Sequence, residues 1–186
     1  FDLEVVRMIA RLFSKVHLTS SQQNLKTSQR DFLKKQIDSV HYLDEDEKRL
    51  VLQKLDGLPQ KSNVCHGDLN PNNIIISQNE AILIDWMNAA NGNPEVDVAE
   101  FIIMIRFAIL PANLPQSVIQ MFESYREKII ETFMDEYTKL TGTTYDEVDP
   151  WIVPIAARKL SSNGIGEDEK NILLKEIRYR LDQGAF

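Results

Sequence analysis

Between Val64 and Trp86 the chain gathers the side chains that could do chemistry: His66, Asp68 and Asp85, interleaved with Asn70, Asn72, Asn73 and Asn79. Asp68 follows His66-Gly67 and precedes the turn formers Asn70, Pro71 and Asn72. Asn73 opens one short apolar run, residues 73–77, and Asp85 ends a second, residues 81–85. If the two runs pair as a tight hairpin, an amide oxygen and a carboxylate come side by side, with the loop carboxylate Asp68 opposite. Hard divalent cations take oxygen ligands, and Mg²⁺ usually binds one or two carboxylates together with substrate phosphates. Asn73 and Asp85 make half a shell of that kind. Asp68, outside it, can accept a proton from a hydroxyl nucleophile. The set suits phosphoryl transfer, in which positioning and charge neutralisation do most of the catalysis. The Asn-Pro-Asn-Asn run is also ordinary turn chemistry, so the register of all four residues carries the reading, not the loop alone.

The elements that must hold these residues are mostly helical. Leu3, Val6, Ile9, Ala10, Phe13 and Val16 recur at three- and four-residue steps, so residues 2–17 read as an amphipathic helix. A polar connection, residues 19–28, leads to a second helix over 28–43 with Phe32, Leu33, Ile37 and Val40 facing inward. A third helix opens on Asp44 and Glu47 at capping-box spacing, its acidic 44–47 run favoured by the helix dipole, and Gly57 with Pro59 stops it. The period then changes to that of a β-hairpin, residues 73–77 and 81–85 around a polar turn at 78–80. Helices return over 95–110 and 115–140, then as a pair near 147–161 and 167–182, with Gly164 and Gly166 serving the turn between them. The expected fold is mainly α with one small β-hairpin near its middle.

The totals narrow the partners. Lys plus Arg against Asp plus Glu is 21 − 28 = −7. Such an acidic surface repels phosphate backbones and anionic lipid, so neither nucleic acid nor membrane is expected as a partner. No apolar run approaches the ~20 residues of a membrane span, and no charged-then-apolar leader opens the chain. The single cysteine, Cys65, excludes an intrachain disulfide and reads as a small apolar filler at the end of a buried strand. A reducing, cytoplasmic setting follows. His17 and His41 read as ordinary helix residues, His66 as a hydrogen-bonded structural histidine, and Trp86 and Trp151 as core packing in preference to a cation-accepting pocket.

His66-Gly67-Asp68-Leu69-Asn70-Pro71-Asn72-Asn73 has the spacing of the kinase catalytic loop H-R-D-L-x-x-x-N, and Asp85, followed here by Trp86-Met87, falls where the metal-binding Asp of D-F-G would fall. With the following Gly-Asn-Pro-Glu-Val-Asp-Val-Ala-Glu-Phe, residues 92–101, the sequence resembles the aminoglycoside phosphotransferase family, which also contains choline, homoserine and methylthioribose kinases. The resemblance covers nearly the whole chain as the C-terminal lobe of a protein-kinase-like fold. It implies 1–60 as helical support, 61–92 as catalytic loop and metal-binding hairpin, and 93–186 as a helical, substrate-side part. It implies Asp68 as catalytic base, Asn73 and Asp85 as Mg²⁺ ligands, His66 as a brace for the loop, and Asp97 as a buried carboxylate tying the loop to the next helix. ATP and Mg²⁺ are the implied cofactors and a small-molecule hydroxyl the implied acceptor. Acidic residues within 95–100 or 146–149 would meet a cationic acceptor.

The same mechanism needs a glycine-rich loop over the phosphates and a strand lysine. None of the seven glycines opens a strand–loop–strand ahead of Asp68, and Lys15, Lys34, Lys35, Lys48 and Lys54 all lie on helical patterns. The chain also begins Phe1-Asp2-Leu3 inside a helical pattern. The expectation is therefore a lobe without its N-terminal nucleotide lobe, inactive alone and a small-molecule kinase when whole. A kinase-like binding module that lacks a nucleotide lobe is the alternative. A metal-dependent hydrolase using Asp68 and Asp85 ranks last, for want of a second ligand cluster such as paired histidines.

Overall fold

The computed structural model describes residues 2–19, 28–77 and 80–184. The expected connection at 19–28 and hairpin turn at 78–80 fall largely outside them. Eight α-helices are described: α1 (Leu3–His17), α2 (Gln29–Asp38), α3 (Glu45–Gly57), α4 (Pro94–Phe107), α5 (Gln116–Thr141), α6 (Tyr145–Val148), α7 (Ile152–Lys159) and α8 (Glu167–Asp182). Between α3 and α4 lie four short strands, β1 (Asn63–Cys65), β2 (Ile74–Ser77), β3 (Glu80–Leu83) and β4 (Ala90–Gly92). The mainly α architecture with a small hairpin is the one the periodicity predicts. One pairing goes beyond it: β1 and β4 form a second two-stranded antiparallel sheet, Cys65 opposite Ala90 and Asn63 opposite Gly92.

Helix α4 is the axis of the fold. Every residue from Pro94 to Ile103 is buried, including the acidic Glu95, Asp97 and Glu100, so the helix runs through the core. Its Phe101 stacks on Phe133 of α5 with ring centroids 4.3 Å apart, and Phe13 of α1 meets both rings edge-on at 5.7 and 5.2 Å. This cluster locks α1, α4 and α5 together beneath the loop region, while Ile152, Ile155 and Ala156 of α7 close the core from the other side.

Local signals fix the ends of several helices. The Asp44 carboxylate accepts the Glu47 N–H at 2.8 Å and Glu47 accepts the Asp44 N–H at 2.9 Å, the capping box that the spacing predicts. Helix α2 is shorter than its apolar pattern suggests. It ends at Asp38, and Val40 and Leu43 reach the core from the bend that follows, so His41 is an exposed bend residue and not a helical one. Trp151 is buried, as expected, whereas Trp86 is 43% exposed. The hairpin β2–β3 pairs Ile74 with Leu83 and Ser77 with Glu80. Ile75, Ile76 and Ile82 on it are exposed, so it stands proud of the core as an apolar arm. No described helix is long and apolar enough to cross a membrane.

Candidate active site

The site is built on a buried carboxylate. Asp97, in the first turn of α4, accepts the His66 N–H at 2.7 Å on Oδ2 and the Gly67 N–H at 3.0 Å on Oδ1. Its Oδ2 also lies 3.1 Å from Nε2 of His17, whose Nδ1 is 2.7 Å from the Tyr137 hydroxyl. Burial, and after it the carboxylates Glu95 and Asp97, hold the Tyr137 proton in place well above the usual phenol range. The phenol therefore donates to His17 Nδ1, and His17 in turn donates from Nε2 to Asp97, the tautomer being assigned from this network. A chain of hydrogen bonds thus runs from α5 through α1 and α4 into the loop. His17 is not the ordinary helix residue its position suggested. It lies four residues after Phe13 on the apolar stripe of α1, a place where a histidine needs buried partners.

The backbone turns sharply after His66 because Gly67 adopts φ +81°, and a Cβ there would lie 2.3 Å from the Asn88 carbonyl oxygen. Leu69 is fully buried and pins the loop, so its neighbours Asp68 and Asn70 remain partly accessible. Asp68 Oδ1 accepts from Asn70 Nδ2 at 2.9 Å, and Oδ2 accepts from Asn73 Nδ2 at 3.2 Å. Asn73 Nδ2 also donates to the Asp68 carbonyl at 2.9 Å, and Asn70 Oδ1 accepts the Asn72 N–H at 2.9 Å. Both carboxylate oxygens are thus oriented by neutral amides, which hold the group without neutralising it.

Asn73 and Asp85 lie at the root of the hairpin. The Ile84 N–H donates to the Asn73 carbonyl at 3.0 Å, which fixes Asn73 against the end of the second strand. Asp85 follows in left-handed backbone, φ 61° and ψ 64°, and is the non-glycine residue with positive φ among those described. Among the described residues no donor reaches its carboxylate, nor the side-chain oxygen of Asn73. An amide oxygen and a carboxylate left unspent at one hairpin end are a donor set that fits a hard divalent cation. The backbone there sits in a region that non-glycine residues enter at a cost. His66 bridges the two halves: Nε2 lies 2.9 Å from the Ile84 carbonyl, and its ring meets Trp86 edge-on at 4.7 Å. Its Nδ1 is buried without a partner. The structure therefore joins His66, Asp68, Asn73 and Asp97 in one hydrogen-bonded unit and leaves Asp85 beside it. Among the described residues no group of three or more His, Cys, Asp or Glu is placed to hold a metal. Cys65 is fully buried, and burial pushes its thiol far above the usual range.

A polar cavity of ≈ 280 Å³ opens beside Asp68, lined also by Gln36, Glu100, Arg158, Lys159 and Ser161. A second chamber of ≈ 220 Å³, lined by Phe32, Leu33 and Met87, shares Phe32, Asn88 and Arg158 with it. Glu100 pairs with Arg158; burial raises its carboxyl above the ordinary range against the pull of Arg158. Sequence reasoning did not reach Arg158 and Lys159, because a basic pair at the end of an apolar helix looks like a solvated C-terminus. Of the acidic residues expected to meet a cation, Asp146 is exposed and the others are engaged internally. Glu95 pairs with Lys61, Glu100 with Arg158 and Asp149 with Arg180, and Glu147 closes a capping box on Thr144.

The amino-acid sequence matches the model of the phosphotransferase enzyme family over residues 4–151. No curated protein matches it. Among solved structures, the fold is similar to a choline kinase from Streptococcus pneumoniae, with a TM-score of 0.67 and 18% identity, over 97% of this chain and 64% of that one. It is similar to a thermostable mutant of an aminoglycoside phosphotransferase, solved with ADP and hygromycin B, with a TM-score of 0.65 and 15% identity, over 98% and 65%. It is also similar to an amicoumacin kinase solved in complex with AMP-PNP, Ca²⁺ and Ami, with a TM-score of 0.58 and 12% identity, over 99% and 60%. The chain thus spans less than two thirds of the length of each of these structures.

Proposed function

The chain belongs to the phosphotransferase enzyme family, and from that premise we propose that it carries the catalytic loop and acceptor pocket of an ATP- and Mg²⁺-dependent kinase acting on a small-molecule hydroxyl. The observation that supports this best is the paired state of two groups. The Asp68 carboxylate is held by two amides beside a polar cavity, while the side-chain oxygens of Asn73 and Asp85 meet no donor among the described residues at the hairpin root. Bound ATP and Mg²⁺ would supply the phosphoryl group and neutralise its charge in transfer. Asn73 Oδ1 and the Asp85 carboxylate would hold the ion. Asp68, oriented by Asn70 and Asn73, would take the proton of the acceptor hydroxyl as it attacks. Asp97 and His66 touch no reacting atom and act by holding the loop. The exposed isoleucines of the hairpin offer apolar cover for a nucleotide-side lobe, and an ATP-dependent reaction would suit a cytoplasmic setting.

The test is Asp68→Asn in the full-length protein with a panel of alcohols. The amide keeps the hydrogen-bonding shape but cannot take a proton, so turnover should fall by about 10²–10⁴ with substrate binding retained. Unchanged turnover would remove Asp68 from the chemistry, whereas no transfer by the unaltered protein to any alcohol would favour a binding module over a kinase. Residues 1–186 alone are expected to transfer phosphate negligibly, because among the described residues no glycine-rich strand–turn–strand precedes Asp68.

A further inference from the structure

The polar cavity beside Asp68 brings together two carboxylates, Asp68 and Glu100, and two cations, Arg158 and Lys159. Three of these four are committed. Glu100 and Arg158 form a buried ion pair. Asp68 is oriented by Asn70 and Asn73 toward its proposed task. Lys159 is not committed. It is 8% exposed, it feels Glu100 only at longer range, and among the described residues it has neither an ion-pair partner nor a hydrogen-bond acceptor. Arg158 also keeps a donor unspent, since its Nε is buried without an acceptor. The Lys159 stem is buried while its ammonium keeps access to the cavity, with no protein counter-charge in contact among the described residues. Lys159 ends α7, where the helix dipole favours a cation without neutralising it. An anion entering the cavity would complete the pairing, whereas an amine there would meet Lys159 as a like charge.

We propose that the acceptor alcohol carries an oxyanionic group, carboxylate or phosphate, which Lys159 binds together with the Arg158 guanidinium while its hydroxyl faces Asp68. The role of Asp68 rests on the phosphotransfer reading, whereas the anion subsite is read from Lys159 and Arg158 themselves. The apolar chamber beyond Phe32 accommodates the rest of the molecule.

The experiment measures calorimetric binding and ATP turnover of the full-length protein with two matched sets of alcohols. One set is glycerol, 3-amino-1,2-propanediol, glycerate and glycerol 3-phosphate. The other is glucose, glucosamine, gluconate and glucose 6-phosphate. An oxyanionic member is expected to bind about tenfold or more tightly than its neutral and cationic counterparts, the strength of a charge-assisted hydrogen bond. Lys159→Gln should erase that preference and Lys159→Arg should keep it. Whether the carboxylate or the phosphate member leads identifies the anion. The subsite is refuted if no oxyanionic member binds, if a neutral or cationic member binds as tightly, or if Lys159→Gln leaves the preference intact. Should Lys159→Gln fail to fold, the ranking by the unaltered protein decides alone. Oxyanion binding without transfer to any acceptor would defeat the phosphotransfer reading and leave the subsite standing. Turnover of amines in preference to oxyanions would do the reverse.

Discussion

Asp97 and Asp85 flank the same loop, and the chain treats them in opposite ways. Asp97 is fully buried and accepts from the His66 and Gly67 backbones and from the His17 ring. Asp85 is exposed, left-handed in backbone, and without a donor among the described residues. A buried carboxylate with both oxygens engaged by buried donors is scaffold, since using it elsewhere would break what holds it. A carboxylate held in costly backbone geometry with its oxygens free is available to something outside the chain. Glu100 lies between the two extremes, buried like Asp97 but facing a cavity.

The contrast is most severely tested at Asp97. Asp97→Ala leaves the buried N–H groups of His66 and Gly67 and the His17 ring without their acceptor, and is expected to destabilise the protein by about 3–5 kcal/mol. In a chain of this size the midpoint of thermal unfolding should drop by roughly 10 °C. A loss below about 1 kcal/mol would mean that the loop is held by something else, and the contrast with Asp85 would collapse.

How much of this was legible beforehand divides along the same line. The Asp68–Asn73 loop, the hairpin and the capping box at Asp44 are local, and their residues sit within a few positions of one another. The support for the loop is not local. His17 reaches Asp97 across eighty positions and Tyr137 across 120, and no periodicity records such a meeting. The pairing of Asn63–Cys65 with Ala90–Gly92 escaped for the same reason: two three-residue strands carry too little alternation to announce themselves. It also depends on Gly92, where a Cβ would lie 2.2 Å from the Gln29 side-chain oxygen that accepts the Asn93 N–H at 2.8 Å. Trp86 was expected in the core but stands partly exposed against His66, because the hairpin projects from the body and does not pack on it.

Glu100 should give an intermediate effect, visible in pH dependence. Burial raises its carboxyl in the folded state above the ordinary 4.5, more than Arg158 lowers it, with Lys159, Asp97 and Asp68 as the other charges nearby. A raised acid binds its proton more tightly when folded. Its contribution to stability is therefore fully present below the ordinary carboxylate range and is lost as pH rises through the raised value. Glu100→Gln cannot ionise, so relative to the unaltered protein its stability should improve steadily as pH is raised from 4.5 to neutrality. Urea unfolding at pH values across that window reads the difference. A gap that is constant with pH would show that Arg158 fully compensates the burial, placing Glu100 with Asp97 as scaffold.

Asp85 should show the smallest effect on the fold and a large one on the chemistry. Asn is the other side chain that tolerates left-handed backbone, and no hydrogen bond of the described residues depends on the Asp85 carboxylate. Asp85→Asn is therefore expected to leave unfolding stability within about 0.5 kcal/mol of the unaltered protein. The charge it removes is the one proposed to hold Mg²⁺, so in the full-length protein phosphate transfer should fall by about a hundredfold or more. Thermal melts and turnover measured on the same preparation separate the two quantities. If the variant instead melts well below the unaltered protein, Asp85 belongs to the scaffold after all, and its left-handed backbone has a structural cause. If it melts normally and still turns over, the ion is held without this carboxylate, and the free oxygens at the hairpin root do not form its site.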